Sequence, residues 1–96
     1  MKTREQIIRL LESEKADLYA RFPVRSLALF GSYARGDERP DSDVDILVEV
    51  SPDIGLEFVA LADHIERLLG THVDLVSRRA VKARHWKHIE RDLIYV

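Results

Sequence analysis

The segment DVDILVEV, residues 43–50, constrains the fold of this chain more than any other part of its sequence. Its apolar and polar residues alternate, which predicts a β-strand because successive side chains of a strand point to opposite faces. One face of this strand would carry two carboxylates, Asp43 and Asp45, together with Leu47 and Glu49. Such a strand needs a sheet with one face on a hydrophobic core and one face that stays partly polar. The apolar face would consist of Val44, Ile46, Val48 and Val50.

The rest of the chain predicts three helices and two further strands. Thr3 and Gln6 form a capping-box pattern at the start of the first helix, and Pro23 ends that helix. This order of elements predicts an α+β (mixed α/β) fold, in which a small mixed sheet of three or more strands is packed with helices. The expected elements are a helix over 4–21, a strand over 24–30, a helical turn at 33–35, a loop over 36–42, the strand 43–50, a helix that Ser51-Pro52-Asp53 opens and Leu69 ends, a strand over 72–76, a helix over 79–91 and a short strand or apolar tail at 93–96.

Length and composition narrow the class of protein. A chain of 96 residues predicts one domain, 1–96, with one modest core. The absence of cysteine excludes a disulfide framework and a thiolate metal site. A net charge of −2 argues against a general binder of nucleic acid or membranes. The first residues are too charged for a signal peptide and no apolar run has the length of a membrane span, so we expect a cytoplasmic protein with no membrane partner and no stable nucleic-acid partner.

The charge is distributed unevenly along the chain. Residues 37–57 are rich in Asp and Glu and contain one base, Arg39, whereas residues 78–91 are rich in Lys and Arg and contain one acid, Glu90. This asymmetry either steers a charged partner or reflects two solvated surfaces that offset each other.

Gly31-Ser32 follows the predicted strand 24–30 and ends it. A strand that breaks here and opens a helical turn presents free backbone N–H groups and a hydroxyl to one point, which suits a phosphate. The alternative is a simple turn. Arg35 lies three residues after Ser32, near enough to meet the same phosphate. The alternative for Arg35 is a surface arginine that pairs with an acid of the following loop.

Asp43 and Asp45 would destabilise each other on one strand face, where Asp is in any case unfavourable. A hard divalent cation removes this objection, because Mg²⁺ is held by one or two carboxylates together with substrate phosphates. Asp74, in the apolar strand 72–76, would join the same site if the two strands are neighbours. The alternatives are a solvated strand face for Asp43 and Asp45, and for Asp74 an edge-strand charge that opposes aggregation.

The combination of these features is more specific than any one of them. A strand, Gly31-Ser32, ten residues, Asp43-x-Asp45 and a later strand with Asp74 resemble the nucleotidyltransferase superfamily of the DNA polymerase β type. The similarity is closest to its shortest members, the minimal nucleotidyltransferases, or MNT proteins. LFGSYARGDERPDSDVDILVE is similar to their motif almost throughout, and VDLVS, a basic helix and RDLIYV are similar to their C-terminal half. The resemblance covers nearly the whole chain and implies a polymerase β-like nucleotidyltransferase fold.

The resemblance also implies roles for the candidate residues. Asp43 and Asp45 would hold Mg²⁺, or Mn²⁺, together with the triphosphate of ATP. Gly31 and Ser32 would bind the phosphates. Asp74 would complete a second metal site and help to deprotonate the attacking hydroxyl.

A partner protein follows from the same resemblance. Many MNT proteins act as antitoxins of a HEPN-domain ribonuclease toxin, and some transfer AMP from ATP to a tyrosine of that toxin. We therefore expect an Mg²⁺-dependent protein adenylyltransferase that works in a homo- or hetero-oligomer, since so small a chain has little surface left to enclose a second substrate. The alternatives are an antitoxin that neutralises the HEPN partner by binding alone and a nucleotidyltransferase for small molecules, whose known relatives carry an additional helical domain.

Overall fold

The computed structural model describes residues 2–96, which form helices and strands in an alternating order. A short 3₁₀ turn, Arg78–Ala80, stands between the third strand and the fourth helix. The helices and strands are α1 (Arg4–Arg21), β1 (Val24–Phe30), α2 (Gly31–Arg35), β2 (Val44–Val50), α3 (Glu57–Leu69), β3 (Val73–Ser77), α4 (Ala83–Glu90) and β4 (Ile94–Tyr95).

The four strands form one mixed sheet in the order β3-β2-β1-β4. β2 is parallel to β3, whereas β1 is antiparallel to both β2 and β4. The predicted α+β fold with a small mixed sheet is therefore confirmed, and the C-terminal segment supplies a short edge strand. β2 begins at Val44, one residue later than predicted, so Asp43 lies immediately before the strand.

The start of α1 is fixed by the predicted capping box. The Gln6 backbone N–H donates to Thr3 Oγ1 at 3.2 Å, and the Thr3 backbone N–H donates to Gln6 Oε1 at 2.8 Å. These two bonds satisfy donors that the first turn of a helix otherwise leaves unpaired. The helix ends at Arg21, and the extended backbone of Phe22 then leads into Pro23.

A hydrophobic core fills the space between one face of the sheet and the helices α1 and α3. The apolar face of β2 faces this core, as the alternation in the sequence predicts. Because this core lies on one side, the row of side chains that includes Asp45 is left on the other face. The most deeply buried members of the core are Ile7, Leu11, Leu18, Leu27, Leu29, Val44, Ile46, Val48, Leu61, Ile65 and Leu69.

The second face of the sheet is partly covered. Ala28 and Leu47, which are partners across β1 and β2, are both buried but lie outside the main core. β3 and β4 occupy opposite edges of the sheet, so residues 78–93 run from one edge to the other. This segment carries Trp86 and Ile89, which are half-buried. None of the helices in residues 2–96 combines the length and the apolar character that a membrane span needs.

The predicted start of the third helix at Ser51-Pro52-Asp53 is wrong, because α3 begins at Glu57. The preceding residues form turns, in which the Ile54 N–H donates to the Ser51 carbonyl at 3.1 Å and the Ser51 hydroxyl bonds to the Asp53 carboxylate. Such side-chain bonds compete with helix formation. Gly55 then has a φ of +61°, a left-handed conformation that a helix does not continue.

The predicted continuous helix over 79–91 is also interrupted. The 3₁₀ turn is followed by Val81 and Lys82 in extended conformations, and α4 begins only at Ala83. The break allows Arg78 to fold back over the ring of Trp86, with its guanidinium carbon 3.6 Å from the ring centroid. This cation–π contact links the turn to the helix.

Candidate active site

Asp45 and Asp74 are direct partners in the parallel ladder between β2 and β3. Neighbouring strands are about 4.8 Å apart and paired residues point to the same face, so the two carboxylates leave the sheet side by side. Each is the second residue of its strand, and the pair therefore lies at the edge where both strands begin. This pairing meets the condition under which Asp74 joins Asp43 and Asp45.

Asp45 is the carboxylate of this group on which the neighbouring charges act. Its carboxyl has a pKa raised to about 6, first by burial and then by the negative charges of Asp74 and Asp43, while the positive charge of Arg35 acts in the opposite direction. Asp45 is half-buried, whereas Asp43 and Asp74 are exposed. Asp43 and Asp74 are thus close enough to Asp45 for their negative charges to oppose its ionisation, which is the expected effect of like charges near one site.

The donor set fits a divalent cation that is shared with a substrate. Within residues 2–96, no three His, Asp or Glu side chains, Asp43, Asp45 and Asp74 included, are grouped so that together they form a ligand shell for one ion. Mg²⁺ does not require such a shell, because it usually takes one or two carboxylates and completes its coordination with phosphate oxygens and water. Burial and then the charges of Asp74 and Asp43 raise the pKa of Asp45, and a cation bound here would offset those two negative charges.

Gly31, the first residue of α2, lies against Asp45. A Cβ placed on Gly31 would overlap Asp45 Oδ2 and lie 2.9 Å from Asp45 Cγ. The φ of Gly31 is +74°, which other residues rarely adopt. Both the conformation and the space therefore require glycine here, and they bring the backbone of the Gly31-Ser32 turn next to the carboxylates.

The first turn of α2 has no side-chain cap. Its N-cap residue is Phe30, which makes no capping hydrogen bond, so side chains do not compete for the amides of Gly31, Ser32 and Tyr33. The Ser32 carbonyl accepts from the Gly36 and Asp37 N–H groups at 2.9 and 3.0 Å, which closes the C-terminal end of this short helix. Backbone hydrogen bonds therefore fix the C-terminal end of this turn, while no side chain caps the amides at its N-terminal end, which is nearest to Asp45.

Arg35, in the last turn of α2, pairs with two carboxylates. Its Nε donates to Asp37 Oδ2 at 3.1 Å and its Nη1 donates to Asp92 Oδ2 at 2.8 Å. The bond to Asp92, followed by that to Asp37, raises the pKa of the guanidinium. The pair with a loop acid that the sequence offers as an alternative is thus present. The bonds to Asp37 and Asp92 do not occupy all the donors of Arg35, because a guanidinium has five N–H donors.

Two residues that the sequence analysis missed hold α2 in place. Arg4, at the start of α1, donates through Nη1 to the Ala34 carbonyl at 3.0 Å. Asp92, between α4 and β4, accepts from Arg35. Their partners are 30 and 57 residues away in sequence, and no local pattern marks either residue. The tertiary structure alone reveals them.

Two of the three carboxylates, Asp43 and Asp74, are exposed at the surface, whereas Asp45 is half-buried. A cavity of about 600 Å³ is lined in part by Tyr33, Pro40 and Thr71. Pro40 and Thr71 each come three residues before a cluster carboxylate, Asp43 and Asp74 respectively. None of the three cluster carboxylates lines that cavity. A large second substrate could therefore approach the cluster directly.

Residues 9–96 match the family model described as nucleotidyltransferase domain. This chain belongs to the nucleotidyltransferase domain family. The match includes the whole of the Gly-Ser turn, the three aspartates and β4, so the recognised resemblance is confirmed. The nucleotidyltransferase fold thus accounts for nearly the entire chain.

Relatives of this nucleotidyltransferase include a protein of Thermococcus cleftensis named protein adenylyltransferase MntA. It is 43% identical over 98 residues, which cover 100% of this chain and 98% of the relative. A solved structure of a candidate minimal nucleotidyltransferase is 33% identical and has a TM-score of 0.83, covering 99% of this chain and 97% of the other. Both comparisons extend from end to end.

A more distant structural neighbour shares the fold alone. It is a chain from the complex of a tri-AMPylated HEPN toxin with an MNT antitoxin of Shewanella oneidensis. The identity is 22% and the TM-score is 0.59, over 96% of this chain and 66% of the other.

Proposed function

We propose that residues 1–96 act as one minimal nucleotidyltransferase domain that transfers AMP from ATP to a tyrosine hydroxyl of a HEPN-domain toxin, with Mg²⁺ or Mn²⁺ as cofactor, and so serves as the antitoxin. The observation that carries this proposal is the direct pairing of Asp45 with Asp74, beside the turn that begins at Gly31. It joins carboxylates suited to a cation with backbone amides suited to a phosphate. The name of the Thermococcus relative supports the choice of adenylyl transfer to a protein.

Each candidate residue has a distinct task in this proposal. Asp43 and Asp45 hold the cation, and the amides of Gly31 and Ser32, with Arg35, bind phosphate oxygens. The cation, when bound, neutralises charge on the phosphates and on the departing pyrophosphate. Asp74 lies beside Asp45 and accepts the proton of the attacking hydroxyl as the new bond forms.

The transfer itself is a substitution at the α-phosphorus. The acceptor oxygen forms a bond to this phosphorus, the bond to the bridging oxygen of the β-phosphate breaks, and pyrophosphate leaves with the bonding electrons. Positioning and charge stabilisation are the main contributions of a protein to such a reaction. The short, fixed α2 turn and the paired aspartates supply both.

A protein acceptor fits the open surface around the cluster. Asp43 and Asp74 are exposed, so a side chain of another protein can reach them without entering a pocket. The complex of an AMPylated HEPN toxin with an MNT antitoxin, whose chain shares this fold, supports a HEPN protein as the partner. Assembly of this chain with that partner would bring the acceptor hydroxyl to the aspartate cluster.

Labelled ATP tests the proposal. The chain and the HEPN protein that co-purifies with it from the native host would be incubated with Mg²⁺ and ATP labelled on the α-phosphate. We expect label on a tyrosine of the partner, none with γ-labelled ATP, and none with the double variant Asp43→Asn, Asp45→Asn. The matched control, Asp41→Asn with Asp63→Asn, removes the same charge from exposed positions outside the cluster and should transfer normally.

Two results would contradict the proposal. Label that persists in the Asp43, Asp45 double variant would show that the cluster is not the catalytic site. A stable complex that silences the partner without any label would instead identify an antitoxin that works by binding alone.

A further inference from the structure

Arg35 is held by two carboxylates that differ greatly in their exposure to solvent. The Asp92 side chain is 9% exposed, whereas that of Asp37 is 60% exposed. An ion pair in contact with solvent is screened and holds its partners loosely, while a buried carboxylate keeps a fixed geometry. The bond to Asp92 is also the shorter of the two, at 2.8 Å against 3.1 Å. Asp92 therefore determines where the guanidinium lies.

The backbone around Asp92 is fixed on both sides. Its N–H donates to the Ile89 carbonyl at 3.1 Å, which anchors it to the end of α4. Two residues later β4 pairs with β1, and the Val96 N–H donates to the Leu27 carbonyl at 3.1 Å. Asp37, in contrast, belongs to the loop that follows Gly36. Asp92 is thus held between the end of α4 and the sheet, whereas within residues 2–96 the Asp37 backbone is held on one side only, by its N–H bond to the Ser32 carbonyl.

Arg35 acts on the carboxylate cluster from this position. Arg35 belongs to the five-residue helix α2, whose first residue, Gly31, lies against the carboxyl group of Asp45, so Arg35 is about one helical turn away from that contact. Two of its five N–H donors are used by Asp37 and Asp92 in the part of the chain that the structure describes. Three donors remain for an anionic ligand beside the cluster.

We infer that Asp92 is a positioning residue for nucleotide binding: it fixes the guanidinium of Arg35 beside the aspartate cluster, where Arg35 binds a phosphate of ATP. This inference rests on the proposed function, because it takes ATP as the substrate. It makes the segment RDLIYV, at the opposite end of the sequence from Gly31-Ser32, part of the nucleotide site. Arg35 and Asp92 then act together, and Asp92 contributes to nucleotide binding only by fixing the position of Arg35.

Calorimetry with MgATP and the whole chain tests this unit without requiring a partner protein. We expect Asp92→Asn to raise the Kd for MgATP roughly tenfold, because Arg35 loses its fixed position. Asp37→Asn is the matched control: it removes the other carboxylate from the same guanidinium and should change the Kd by less than about twofold, as exposed ion pairs contribute little. Asp92→Glu keeps the charge and should recover part of the affinity.

A double-mutant cycle separates positioning from a merely structural role. Arg35→Ala should weaken MgATP binding by itself, and Asp92→Asn should have little further effect in the Arg35→Ala background. A merely structural Asp92 would weaken binding equally in both backgrounds, and this result would overturn the inference. Equal losses in Asp37→Asn and Asp92→Asn would overturn it as well.

Two further outcomes keep the test decisive. If Asp92→Asn does not fold, unchanged MgATP affinity in Arg35→Ala, which removes a partly exposed side chain, would still overturn the inference. An intact chain that does not bind MgATP at all would contradict the proposed function itself, whereas normal binding by both the intact chain and Asp92→Asn would contradict only the role of Asp92.

Discussion

Gly31 lies against the carboxyl group of Asp45 in the candidate site. The φ of +74° at Gly31 and the closeness of the Asp45 carboxyl leave no space for a side chain. Gly36, at the other end of α2, has a similar φ of +83° but nothing within 4 Å of a Cβ placed on it. These two glycines therefore separate the cost of backbone strain from the cost of steric overlap.

We expect Gly31→Ala to destabilise the protein clearly more than Gly36→Ala. Backbone strain of this kind costs about 1–3 kcal/mol, and at Gly31 the overlap with Asp45 adds to it. Urea denaturation of both variants measures the difference in the free energy of unfolding. Equal losses would mean that Asp45 moves aside without cost.

The raised pKa of Asp45 predicts an unusual dependence of stability on pH in metal-free buffer. The folded-state value of about 6 lies above the ordinary value of 3.8, so between these values the folded state binds more protons than the unfolded state. The contribution of Asp45 to stability is therefore full below about pH 4 and is lost as the pH rises through 6.

The comparison of the intact chain with Asp45→Asn isolates this effect. With EDTA present, we expect Asp45→Asn to be the more stable protein at pH 8, and its advantage to shrink steadily as the pH falls towards 4. Thermal unfolding at several pH values measures it. A constant difference over this range would contradict the raised pKa.

At the scale of single elements, α1 depends on its capping box. Both reciprocal bonds between Thr3 and Gln6 are present, and they fix the end of the helix from which Arg4 reaches the Ala34 carbonyl. The cap thus supports the core and, through Arg4, the position of α2.

Thr3→Ala should lower the free energy of unfolding by about 1 kcal/mol, the usual effect of losing an N-cap side chain. Ser13→Ala is a suitable control, because Ser13 only donates its hydroxyl to the Leu10 carbonyl within α1 and alanine favours helix. Urea denaturation of the two variants tests this expectation, and an equally large loss in Ser13→Ala would show that the loss of any hydroxyl bond in α1, rather than of the cap, lowers the stability.

At the scale of the whole molecule, the proposed cation would couple folding to metal binding. The unfolded chain does not hold Asp43 and Asp45 in one fixed geometry beside Asp74 and the Gly31 turn, so a cation held by Asp43 and Asp45 would bind the folded state selectively. Selective binding raises the stability in proportion to the logarithm of the cation concentration above its Kd.

Mg²⁺ or Mn²⁺ should therefore raise the Tm of the intact chain, and Asp45→Asn should abolish the rise. In a domain of this size each kcal/mol corresponds to about 4–8 °C in Tm. Asp41→Asn, which removes an exposed acid outside the cluster, should keep the full rise. Thermal unfolding with and without the cation measures all three proteins, and an unchanged Tm in the intact chain would argue against a metal site.

Local physics made much of this structure predictable. The capping box and the helical spacing predicted where α1 begins and ends, and the alternation of apolar residues predicted which face of β2 is buried. The two wrong helix predictions also have local causes. Turn-forming bonds at Ser51 and Asp53 make α3 begin later than predicted, and the extended Val81 and Lys82 interrupt the predicted last helix. Such bonds depend on side-chain geometry that spacing does not encode.

The sequence by itself determined which residues could do chemistry: a Gly-Ser turn after a strand, two aspartates on one strand face and one aspartate in another strand. Only the tertiary structure decided that Asp45 and Asp74 are paired and that Asp92 holds Arg35. The physical reason is the distance along the chain. Periodicity and capping act over a few residues, whereas strand register and the Arg35–Asp92 bond join segments separated by 29 and 57 residues, which come together only when the core forms.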